Sequence, residues 1–72
     1  MNHKYQINIA WGREDKCYLV YLPDFTDEIM QPVTYGETYQ EALQNGLEVM
    51  DELILHLQAE GKSLPVAKLV SA

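Results

Sequence analysis

Residues 5–11, YQINIAW, alternate, with Tyr5, Ile7, Ile9 and Trp11 on one side and Gln6, Asn8 and Ala10 on the other. That period of two predicts a strand with one covered face. The GRED stretch that follows supplies turn residues, so the chain is expected to double back as a hairpin. The second arm, residues 16–22 (KCYLVYL), is apolar on both faces: Cys17, Leu19 and Tyr21 on one, Tyr18, Val20 and Leu22 on the other. A strand of this kind is usually central and covered on both sides. One helix covers only one face, so the other needs a partner. Cys17, Leu19 and Tyr21, or the alternate set, are the expected contacts with further copies of the chain.

Pro23 and Asp24 end that strand, and residues 24–31 (DFTDEIMQ) have no clear period. They read as a loop with room for a short helical turn. Residues 32–35 (PVTY) are a short strand candidate, with Pro32 at the start, where a missing amide costs least. Thr38 and Glu41 then form a T-x-x-E capping box, in which the threonine oxygen accepts from the Glu41 amide and the glutamate reaches back to the Thr38 amide. Gly36 permits the tight change of direction ahead of the cap. Tyr39, Ala42, Leu43, Gly46, Leu47, Met50, Leu53, Ile54 and Leu57 recur at helical spacing through to Glu60. Ala42 and Gly46 are small and lie on the stripe expected to be buried, which lets the helix sit close to the sheet. Gly61 fits a left-handed C-cap and Pro65 a stop beyond it. Residues 66–70 (VAKLV) are a last strand candidate. The order defines one α+β domain over residues 1–72: a three-stranded antiparallel meander, one long helix on the sheet, and a further strand.

Composition narrows the function classes. A chain of 72 residues buries only roughly 60% of its unfolded surface, so further burial is needed for stability. Cys17 is the only cysteine, which excludes a disulfide or a structural zinc site and fits a reducing, cytoplasmic setting. Oligomerisation is the remaining common remedy. Eleven acids against five scattered bases leave a net charge of -6. No basic stripe is available to release counterions from phosphates, so direct nucleic-acid binding is not expected, whereas a basic protein partner is. No stretch is long enough for a membrane span and the N-terminus lacks a secretory pattern.

Candidate chemistry is sparse. Glu48, Asp51 and Glu52 read as the solvated side of the helix rather than as metal ligands. Cys17 at the start of an apolar strand reads as a small buried hydrophobe, and His56 near a helix C-terminus is favoured there by the dipole alone. His3 lies near the N-terminus. A phosphate loop at Gly36 would have one glycine, no lysine and an acid where the anion would bind. No catalytic residue, cofactor or metal is expected. The acidic, apolar-studded segment 24–31 and the second face of the central strand suit protein contacts better than chemistry.

The succession Tyr5-x-Ile7, then Leu22-Pro23-Asp24-Phe25, then Tyr35-Gly36-Glu37-Thr38-x-x-Glu41-Ala42-Leu43, with Gly61 to Pro65 after the helix, resembles the HicB-like antitoxin family. The likeness covers nearly the whole chain. It implies a truncated ribonuclease-H-like fold, assembly as dimers or larger oligomers, and neutralisation of HicA, a small basic ribonuclease that cleaves messenger RNA. For such a toxin the acidic loop offers Asp24, Phe25, Asp27 and Glu28 as the expected contacts; Gly36, Thr38, Glu41, Ala42 and Gly61 carry the structural motif of the resemblance, and Gly46 joins them as a small residue on the buried helix stripe. Many members add a C-terminal DNA-binding domain; a chain ending at Ala72 is not expected to bind an operator itself. The alternatives are an orphan oligomeric structural or regulatory module without a toxin and a metal-dependent nuclease using helix and loop acids.

Overall fold

The computed structural model describes residues 4–68. The expected α+β arrangement is present: β1 (Asn8–Gly12), β2 (Cys17–Tyr21) and β3 (Thr34–Gly36) form an antiparallel sheet in the order β1-β2-β3, followed by one helix, α1 (Tyr39–Ala59). Lys16, in the left-handed region at φ 51°, closes the β1–β2 turn by donating its amide to the Gly12 carbonyl at 2.7 Å. Register puts Ile9 opposite Val20 and Trp11 opposite Tyr18, and sets Leu19 between Ala10 and Tyr35. Residues directly opposite share a face. Ile9, Trp11, Tyr18 and Val20 therefore lie on the helix side, and Ala10, Cys17, Leu19, Tyr21 and Tyr35 on the other.

The strand expected over residues 5–11 is shorter at its start, because residues 5–7 join no ladder. They are held instead by side chains: the Tyr5 hydroxyl donates to the Pro65 carbonyl at 2.6 Å, and the Gln6 amide to Asp24 Oδ2 at 3.0 Å. Of the further strand expected over 66–70, residues 66–68 lie outside the sheet, and Leu69 and Val70 lie outside the described residues.

The helix starts and stops where its caps dictate. Thr38 Oγ1 accepts from the Glu41 amide at 3.0 Å. The reciprocal bond differs from the expected one: Glu41 Oε1 accepts from the Glu37 amide at 3.0 Å, one residue further out than Thr38. At the other end Gly61, at φ 70°, donates to the Gln58 carbonyl at 3.0 Å and Lys62 to the Leu57 carbonyl at 2.9 Å. This paired arrangement satisfies carbonyls that the helix itself leaves open.

Two glycines set the distance between helix and sheet. A Cβ on Gly36 would lie 2.4 Å from the Ala42 nitrogen and 2.7 Å from its Cα, so the end of β3 is pressed against the first helical turn. A Cβ on Gly46 would lie 2.8 Å from Val20 Cγ1. Ala42, Gly46, Met50, Ile54 and Leu57 form the buried side of α1. Leu22, Phe25, Met50, Ile54 and Leu57 make the core, with Tyr5, Ile7, Ile29 and Val33 packed around it.

Candidate functional site

The segment after β2 does two different jobs. Pro23–Phe25 form a single 3₁₀ turn that directs both Asp24 and Phe25 inward. Asp24 is only 8% exposed. Its Oδ2 accepts from the Gln6 amide at 3.0 Å and its Oδ1 from the Lys68 amide at 3.1 Å. The carboxylate thus satisfies two backbone donors that the sheet ladders do not reach. Phe25 is fully buried, edge-on to Tyr5 with ring centroids 4.8 Å apart. The expectation that Asp24 and Phe25 face a partner is therefore corrected: a buried carboxylate turned onto two backbone amides and a core aromatic do not present a contact surface. Gln31 is a third internal member, its side chain accepting from the Leu22 amide at 2.8 Å and donating to the Leu22 carbonyl at 2.9 Å. It imitates a paired strand residue just before the β2–β3 ladder begins.

Asp27 and Glu28 are exposed. They line a depression with Leu53, His56, Leu57, Lys62 and Ser63 at the C-terminal end of α1. Nearby, Glu60 pairs with Lys62 at 3.0 Å and His56 at 3.4 Å. The Lys62 hydrogen bond, helped by the positive charge of His56 and of Lys62 itself, holds the Glu60 carboxyl below the ordinary glutamate range. The loop thus contributes two accessible acids, Asp27 and Glu28, and one internal acid, Asp24.

The sheet face opposite the helix brings Cys17, Leu19 and Tyr21 together, all half-buried. Tyr35 of β3, exposed, joins them, and a shallow depression there is lined by Asp15, Cys17, Leu19, Pro32 and Tyr35. Tyr35 and Pro32 extend this surface beyond the three residues expected from the pattern of β2.

A second apolar surface lies on the helix side, where a covered face was expected. Trp11 is 56% exposed, Tyr39 63%, Leu43 43%, Leu47 42% and Leu55 60%. The aromatic members touch: Trp11 and Tyr18 centroids are 5.0 Å apart, and Tyr18 and Tyr39 4.2 Å. Trp11, Tyr39, Leu43 and Leu47 are thus surface residues, not the core members their spacing implied. The cause is the seat of α1, which packs chiefly over β3 and β2 and only marginally over β1. The apolar arc of the helix is also wider than three short strands can cover. That excess width was the available sequence signal.

Among the described residues, no group of three or more His, Cys, Asp or Glu side chains is placed to hold a metal ion. No helix among them is long and apolar enough to cross a membrane. The fold and its surfaces define a small α+β protein with a half-buried apolar sheet face on one side and a row of exposed apolar side chains along the helix on the other. Compared with protein-family models, curated proteins and solved structures, the chain finds no match in any of the three.

Proposed function

We propose that this chain is a non-enzymatic, cytoplasmic inhibitor of HicB-like type, which silences a small basic mRNA-cleaving ribonuclease by direct contact. The observation that carries this reading is the β3–α1 junction. The Gly-Glu-Thr-x-x-Glu-Ala stretch by which the sequence resembles the family is also the stretch that closes Gly36 against Ala42 and caps α1 at Thr38 and Glu41. The element order up to the helix, three antiparallel strands and then α1, agrees with the order the resemblance implies. A net charge of -6 adds an electrostatic argument: complementary charge speeds encounter with a basic protein and disfavours wrong partners.

In this account the chain covers the ribonuclease face that would otherwise bind RNA. Asp27 and Glu28 remain as loop acids able to meet basic side chains. The face of Cys17, Leu19 and Tyr21 carries self-association, which also supplies burial that a chain of this size lacks. The test is recovery of tagged full-length chain from its native cell, followed by an RNA-cleavage assay on what accompanies it. A small basic ribonuclease that falls silent when the chain is added back supports the reading. Recovery of the chain alone as a stable oligomer shifts it to a module without a toxin.

A further inference from the structure

The two uncovered apolar surfaces differ in charge, and that difference assigns their occupants. On α1, Tyr39, Leu43, Leu47, Asp51 and Leu55 follow one another at intervals of four residues. Side chains so spaced are neighbours on a helix surface and form one of the ridges by which helices pack. At its N-terminal end the ridge runs through Tyr39 to the Tyr18–Trp11 aromatic pair. Along its outer side, Glu48 and Glu52 share the exposed surface of α1 with Asp51. The opposite face, around Cys17 and Leu19, has Asp15 as the acid lining its depression.

The geometry points to the Trp11–Tyr39–Leu43–Leu47 ridge as the docking site for a basic amphipathic helix of the partner, with apolar side chains laid on the ridge and lysine or arginine facing Glu48 and Glu52. A second copy is the poorer occupant: it would bring the same acids against themselves, in a chain that already carries -6, and like charges oppose such contact. The less charged sheet face suits self-association instead. This inference rests on the proposed basic partner for its biological occupant, while the surface itself follows from side-chain exposure and charge.

The probe is a synthetic helical peptide of leucine and lysine, titrated into isotope-labelled full-length chain and followed by NMR. A peptide with glutamate for lysine is the control. The expected result is shift changes at Trp11, Tyr39, Leu43 and Leu47 with the cationic peptide only. Leu43→Gln with Leu47→Gln, both tolerable in a helix, should weaken binding about tenfold or more. Glu48→Gln with Glu52→Gln should weaken it several-fold and flatten its salt dependence, with circular dichroism unchanged in both variants. Binding mapped to the Cys17–Leu19 face, equal binding of the anionic peptide, or a leucine variant that changes subunit number but not peptide affinity would overturn the assignment. A ribonuclease inhibited equally by wild type and the leucine variant would leave the proposed function standing and remove this surface. Peptide binding as expected, with no ribonuclease inhibited, would do the reverse.

Discussion

Replacing Asp24 with asparagine removes one of the two acceptor oxygens that hold the Gln6 and Lys68 amides. The asparagine carbonyl can keep one amide, and its NH₂ group must then face the other donor. A hydrogen bond to a charged group contributes about 1.5–3 kcal/mol, and a buried donor left without an acceptor costs about 1–3 kcal/mol. The expected net loss is about 2–3 kcal/mol, discounted from the sum because Asp24 keeps slight solvent access. For a domain whose stability lies near the lower end of the usual range, about 5 kcal/mol, this is a large fraction. With a urea slope near 1 kcal/mol/M, the midpoint should fall by about 2–3 M, measured at equal protomer concentration so that any association contributes equally. Amide exchange should quicken first at Gln6 and Lys68. Binding of the cationic peptide, per folded molecule, should be unchanged. An unfolding free energy within about 0.5 kcal/mol of wild type, combined with lost peptide binding, would refute the structural role and return Asp24 to the surface.

Three further predictions address the packing and the surfaces. Gly36→Ala should destabilise more than Gly46→Ala in urea unfolding. The first meets helix backbone, whereas the second meets the Val20 side chain and offsets overpacking of about 1–3 kcal/mol with about 1 kcal/mol of helix propensity; a stabilised Gly46→Ala would mean that Val20 yields freely. Leu19→Lys on the open sheet face should lower the subunit number in light scattering while circular dichroism stays native; an unchanged assembly would place the interface elsewhere. In an NMR titration Glu60 should have its midpoint below that of an ordinary glutamate, and Lys62→Ala should raise it. Because the folded value is the lower one, the small stabilisation it provides is complete above the ordinary carboxylate range and fades as pH falls through the depressed value. A Glu60 midpoint unmoved by Lys62→Ala would contradict the assigned cause.

Local signals in the sequence located most of the scaffold. Alternation marked β1, the doubly apolar KCYLVYL marked the central strand β2, and Thr38, Glu41 and Gly61 bounded the helix to within a residue. Each depends on contacts a few residues away, which a linear pattern encodes. The reading failed where long-range placement decides. Asp24 and Phe25 look like a loop's acid and apolar studs, yet a single turn after β2 carries them inward, and their partners are 18 and 44 residues distant for Asp24. Trp11, Tyr39, Leu43 and Leu47 have core-like spacing, but the helix seat over β3 and β2 leaves them at the surface. Gln31 gave no signal at all, because side-chain mimicry of a strand pair leaves no periodic trace.

The most direct test of the central claim is titration of the chain into an RNA-cleavage assay of any small basic protein that co-purifies with it or is encoded by a neighbouring reading frame. The account predicts that cleavage falls to background at a fixed ratio of the two proteins, and that inhibition weakens as salt rises. Undiminished cleavage at saturating chain, with the chain folded and associated as in isolation, would contradict it.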